Sequence, residues 1–214
     1  MSTPELPKQT RGRPSVPESE LKEKIIQATA ESLIENGYQF TTIDNIAKRA
    51  GVAKKTIYRF VDNREALIEL VILSWTDSFV PLFEREASSI DEFFDLLACN
   101  LNAIAQKVLS PSAVGLYRLL QTDFNQKNIL LDKYQRSGIE RSRYLLKQWL
   151  AIHADKQLIN NHDFTVMSDL ILSMAIAEPL RQISLGIIPP GMTPELEQRI
   201  QHIICLCRFA LQIV

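Results

Sequence analysis

The chain is 214 residues long, carries a formal net charge of −1 at pH 7, and is 46% apolar and 23% charged. That length accommodates one small and one larger folded unit, and those proportions are ordinary for a globular protein in water. No run of about 18 apolar residues stands out, so no membrane span is expected, and the polar, proline-rich start is unlike a signal peptide. Three cysteines at irregular spacing argue against a disulfide framework and for a reducing cytoplasm. Glycine is scarce and almost nothing alternates apolar and polar like a strand, so the expected class is all-α, with about nine helices.

Residues 1–17 hold Pro4, Pro7, Pro14 and Pro17 and almost nothing apolar, which reads as an arm that cannot repay the entropy of ordering. Arg11-Gly12-Arg13-Pro14 has the form of an arm that lays two arginines along a minor groove; the alternative is a plain soluble tail. Residues 18–65 read as a three-helix unit. Its first helix runs from Glu18 to Asn36, with Leu21, Ile25, Ala28 and Leu33 near one face and Gly37 as its stop.

Two short helical patterns follow. Thr41 or Thr42 is placed to cap the first, with Asp44 or Asn45 to reciprocate, and Ile43, Ile46, Ala47 and Ala50 recur at the spacing of a buried face. Gly51 breaks it, and a second helix is expected from about Lys54 to Val61 with Ile57 and Val61 inward. Lys54, Lys55, Thr56, Tyr58 and Arg59 are left outward. From Gly37 to Arg64 six basic residues stand against two acidic ones, a local charge of +4 in a chain of net −1. Such asymmetry suits a polyanion. A helix-turn-helix of this kind sets its second helix in the major groove. Lys54 and Lys55 are thereby expected at base edges, with Thr42, Tyr58 and Arg64 clamping phosphates.

Residues 66–214 read as a larger helical unit. A helix from Asp62 to Arg85, with Asp62 as cap and Glu65 three residues on, carries Ile68, Ile72, Trp75, Phe79 and Leu82 on one stripe; it leaves the first unit without a linker and could act as a lever. Helices are expected over Ser89–Leu109, from Pro111 to about Phe124, and from Gln126 to about Ala154 with a bend near Gly138. Trp75, Phe79, Phe94, Tyr117 and Trp149 lie on inward faces of four helices, either as plain core or as the wall of a small-molecule cavity with Asn100 as its polar handle. Asp163–Gly186, kinked by Pro179, and a last helix from Pro194 are too apolar for a monomer surface. Met167, Ile171, Met174, Ile200, Ile203, Cys207 and Ala210 are expected at a homodimer interface, with Leu206, Phe209 and Ile213 on a second stripe.

Catalysis finds no convergent polar set: His153, His162 and His202 are scattered and no phosphate loop or nucleophile signature occurs. His202 and Cys205 share a helix face, but two ligands are too few for a metal site; Cys99 lies beside a core stripe and is expected to be inert. No cofactor is implied. A helical small-molecule-binding or enzymatic protein with an incidental basic face, and a metal- or redox-sensing regulator, stay as alternatives.

The order Thr-Thr-Ile…Ile-Ala…Ala-Gly-Val…Thr-Ile-Tyr…Arg-Glu-Ala-Leu resembles the N-terminal domain of the TetR (tetracycline-repressor-like) transcriptional regulators over about residues 20–70. Ala53, Lys55, Val61 and Arg64 depart from the usual serine, glycine, phenylalanine and lysine of that motif. The resemblance implies a cytoplasmic, nucleoid-associated homodimer whose last two helices are half of a four-helix bundle. It further implies a palindromic double-stranded operator, repression as the family habit, and release by a small apolar or amphipathic effector.

Overall fold

The computed structural model describes residues 17–211; Arg11, Arg13 and Ile213 lie outside the described residues. Taking α5 below as the tail of α4, and each π-interrupted rod as one helix, the described residues form nine helical segments and no strand.

Helix α1, Glu18–Phe40, is interrupted at Gly37, whose non-helical φ 70°, ψ 179° ends its regular run where the sequence placed the stop. Thr42 caps α2, Ile43–Ala50, accepting from Asn45 N–H at 3.2 Å. Thr41 turns inward to the Gly37 carbonyl and the Ser32 hydroxyl. Gly51 at φ 68° closes α2, where a side chain would strain the left-handed backbone. Helix α3, Lys54–Ile57, is a single turn, shorter than expected, and Ala53 gives its start no side-chain cap. A small core of Ile25, Ala28, Ile46, Ala47, Ile57, Val61 and Leu67 holds α1, α2 and α3 against the start of α4.

Helix α4, Arg64–Asp77, is capped by Asn63 rather than Asp62, and Glu65 is spent elsewhere. It breaks at Ser78 and Phe79 before α5, Val80–Phe83. The Arg64–Phe83 stretch is, against the sequence expectation, long and apolar enough to cross a membrane by composition. Leu67, Ile68, Val71, Ile72 and Phe79, however, are buried within the fold. Helices α6, Ile90–Val108, and α7, Pro111–Leu120, are capped by Ser89 and Ser110.

The next rod is α8, Lys127–Lys133, a π-helical turn Tyr134–Glu140 that contains Gly138, and α9, Arg141–Asp155. The following rod repeats the device: α10, Phe164–Leu172, a second π-turn Ser173–Ala177, and α11, Glu178–Ser184, opened by Pro179. Helix α12 is Pro194–Leu211. A middle cluster of Leu33, Tyr38, Ile68, Ile72, Leu116, Leu120 and Leu130 seals the first unit onto α7 and α8.

The dimer-face expectation needs correction at four positions. Ile171, Ile200, Ile203 and Cys207 are 0 to 4% exposed and sit in the chain's own core beside Phe93, Leu97 and Ile104. Met167 and Met174 pack partly buried against that core, and Ala210 is exposed. The bare apolar side chains are one step round the same helices: Val166 and Leu170 on α10, Leu206 and Phe209 on α12, with Phe209 91% exposed. Cys99 and Cys205 are exposed and Cys207 is buried; all three are free thiols. Cys99 is exposed beside the buried stripe of Leu97 and Leu101.

Candidate nucleic-acid interface and the adjoining cavity

The turn at Gly51 and the buried Ile57 present α3 with Lys54, Lys55, Tyr58 and Arg59 exposed and Thr56 half-buried. Lys54 Nζ meets Asp44 at 2.5 Å and Arg59 meets Glu18 at 3.0 Å. Exposed pairs of this kind are worth about 0–1 kcal/mol, so both cations are cheap to redirect. Lys48 and Lys55 are exposed and have no carboxylate at ion-pair distance among the described residues. Arg49 is held by Glu31 and Glu35 on α1.

Arg64 does not stand at the rim. Its guanidinium lies 3.8 Å from the Tyr38 ring centre, donates to the Tyr38 carbonyl at 3.3 Å and pairs with Glu65 at 3.4 Å. The Tyr38 hydroxyl donates to Glu65 at 2.5 Å. Burial and that bond push the Tyr38 phenol up to about 12. Burial works against the Glu65 carboxylate, but the Tyr38 hydroxyl and Arg64 outweigh it and hold its pKa below the usual range. Together they form a brace between the end of α1 and the start of α4.

Further along α4 opens a cavity of about 270 Å³. Ile72, Trp75, Thr76 and Phe79 form one wall. Ile104 and Val108 of α6, Ala113 and Tyr117 of α7, and Tyr134, Gly138 and Ile139 of the first π-turn continue it. Ser142 and Arg143 of α9, then Leu172, Ser173, Ile176, Ala177 and Leu180, close it. Of the residues expected to line it, Trp75, Phe79 and Tyr117 do so; Phe94, Asn100 and Trp149 do not. Phe94 lies under the Arg208 guanidinium at 4.4 Å. Trp149 stacks on Phe93 at 4.9 Å and donates its indole N–H to the Arg85 carbonyl. Asn100 is fully buried among core residues, with neither amide atom partnered among the described residues.

Sequence reasoning missed Tyr134, Arg143 and Ser173. Two of these lie in the π-turns, and a π-turn carries no residue signature. The expected irregularity near Gly138, which falls inside the first π-turn, was the only legible hint. The first π-turn is fastened to α4: Thr76 Oγ1 donates to the Ser137 carbonyl at 3.0 Å, and Ser137 Oγ donates to Glu69 at 3.0 Å. Lys133 pairs with the other Glu69 oxygen.

A short basic helix presented by a tight turn, joined by one continuous helix to a unit with a chamber, defines a helix-turn-helix regulator. The signature described as bacterial regulatory proteins, tetR family, matches residues 25–71. An uncharacterized HTH-type transcriptional regulator, YdeS of Bacillus subtilis (strain 168), is 35% identical over 163 residues, 75% of this chain and 78% of that protein. The fatty acid metabolism regulator protein of the same bacterium is 28% identical over 149 residues, 64% of this chain and 76% of that one. In fold, a TetR-family regulator from Mesorhizobium loti matches with a TM-score of 0.73 at 18% identity, covering 93% of this chain and 100% of that one. The chain belongs to the TetR family of bacterial transcriptional regulators.

Proposed function

We propose that the protein is a homodimeric repressor that holds a palindromic operator and releases it when a small apolar or amphipathic effector occupies the cavity. The observation that carries this reading is the span of α4. Leu67 belongs to the core of the first unit, while Ile72, Trp75 and Thr76 line the cavity. Only about 14 Å of helix, at 1.5 Å per residue, separates Leu67 from Thr76. A ligand that pushes the cavity wall thus shifts the base of the reading helix.

In this reading Lys54 and Lys55 approach base edges, and Thr42, Thr56, Tyr58 and Arg59 approach phosphates. Arg64 braces α4. Any minor-groove contact falls to Arg11 and Arg13. One turn of helix makes too few contacts for tight binding, so two copies are needed, spaced about 34–36 Å or a multiple. The bare face of Val166, Leu170, Leu206 and Phe209 supplies the partner surface. The chain then works in the cytoplasm on the nucleoid as a regulator rather than a catalyst. The similarity to a fatty acid metabolism regulator suits an effector with an apolar body.

Selection of bound fragments from the source genome, followed by titration at several salt concentrations, tests this. Affinity should fall with log salt at a slope of about −0.9 per phosphate contacted. A flat salt dependence with no enriched two-fold sequence would overturn the proposal.

A further inference from the structure

We infer that the effector is a compact, uncharged molecule whose carbonyl or hydroxyl oxygen is held by the hydroxyls of Tyr117 and Tyr134. This rests on the reading of the cavity as the effector site and adds its chemistry.

Size comes first. The cavity of about 270 Å³ is nearly twice the ~150 Å³ apolar cavity that admits benzene, room for a ligand body on the order of ten non-hydrogen atoms. Its wall is mostly apolar, so the few polar groups decide the head group.

Most of those groups are already committed. Thr76 donates to the Ser137 carbonyl at 3.0 Å, Ser142 to the Gly138 carbonyl at 2.8 Å, and Ser173 to Asp169 at 3.5 Å. Arg143, the cation on the wall, pairs with Asp169. Three side chains are left, Tyr117, Tyr134 and the Trp75 indole, the last a donor only. Tyr117 and Tyr134 both line the cavity, their ring centres 6.5 Å apart, and neither hydroxyl has a hydrogen-bond partner among the described residues. Burial, with the Tyr117 phenol beside it, pushes Tyr134 up to about 12, so it stays a protonated donor across the working range.

A carboxylate placed here would have to win Arg143 from Asp169 and give up part of its hydration. A ketone or alcohol asks only for neutral hydrogen bonds, which two idle phenols supply, while its apolar body covers the rest of the wall. The rival is a carboxylate that draws Arg143 away from Asp169.

Four probes of matched size decide between them: benzylacetone, phenylbutanol, phenylbutyrate and butylbenzene. Binding to the full chain is read by calorimetry and by the fluorescence of Trp75, which lines the cavity. The ketone and the alcohol should bind about tenfold or more tighter than phenylbutyrate at pH 8. Replacing both tyrosines, Tyr117→Phe with Tyr134→Phe, should abolish the advantage of benzylacetone over butylbenzene. Butylbenzene binding should be unchanged, which reports an intact cavity. Tighter binding of phenylbutyrate, lost in Arg143→Gln, would overturn the inference, as would unaltered benzylacetone affinity in the double variant. If none of the four binds, the inference and the cavity reading fall together. If benzylacetone binds as expected yet leaves operator affinity untouched, the ligand chemistry assigned to the cavity stands and its reading as the effector site fails alone.

Discussion

Lys55 is exposed at the second position of α3 and has no carboxylate at ion-pair distance among the described residues. Its charge is thus available to a base edge, where a well-placed contact discriminates by about 1–3 kcal/mol. Lys55→Gly should change the preferred base at one position of each half-site, leaving the others in their original order. An unbiased selection that returns the same motif at the same relative affinities would reduce Lys55 to a bystander. His153 makes a different residue-scale prediction. The Ala87 N–H donates to its Nε2 at 2.8 Å, so Nδ1 carries the proton and donates to the Trp149 carbonyl at 2.7 Å. Protonation would break the first of these bonds, and burial lowers the imidazole pKa below its ordinary 6.5. The unfolded chain therefore takes up the proton first on acidification. The stabilisation is fully present above pH 6.5 and declines as pH falls from there towards the lowered folded value. The midpoint of thermal unfolding should drop from pH 7.5 to pH 5, and less steeply in His153→Asn; equal slopes would remove His153 as the cause.

Among the elements, α1 and α7 cross at Gly115, where an added Cβ would stand 3.0 Å from Ile34 Cγ1. The close approach lets the first unit sit directly on the second through Leu33, Leu116 and Leu120. Gly115→Val should cost about 1–3 kcal/mol by overpacking, despite the better helix propensity of valine. Ile34→Ala in the same chain should return part of that loss, which a double-mutant cycle in denaturant measures. Additive losses would show that the crossing has slack. The two π-turns are elements of another kind. Each adds a residue to a helical turn and so sets its side chains off the regular stripe, bringing Tyr134, Ile139, Ser173 and Ile176 to the cavity.

At the scale of the whole molecule, the proposed dimer requires an apolar face for a second copy. Phe209 and Leu206 are bare on α12, with Val166 and Leu170 on α10, whereas Ile203 is 4% exposed in the core. The two kinds of position separate in one experiment. Phe209→Glu should leave a folded chain, with unchanged far-ultraviolet circular dichroism, that sediments as a monomer and binds its operator far more weakly. Ile203→Asp should instead unfold the chain, since an unpaired carboxylate in a core costs about 3–5 kcal/mol, a large share of typical stability. A folded monomer from Ile203→Asp, or a dimer unaffected by Phe209→Glu, would move the interface elsewhere.

What the sequence determined by itself is what depends on near neighbours. Thr42, Ser89 and Ser110 cap the helices that follow them, Gly51 makes the turn, and the basic residues of α3 share an outward face. A cap or a left-handed turn is settled within a few residues of chain. Even there a one-residue choice escaped: Asn63 and not Asp62 caps α4, because Glu65 is drawn to Tyr38 of another helix. The tertiary structure alone decided which apolar stripe became core and which stayed bare. Ile203 and Phe209 are equally apolar in the sequence. Burial is assigned by the helices packed alongside, α6 and the second π-turn against α12, and that choice is not encoded in any local pattern. The cavity has the same origin: its wall draws on several helices far apart in the chain, including two π-turns, and the residues that line it are neighbours only once those helices have packed.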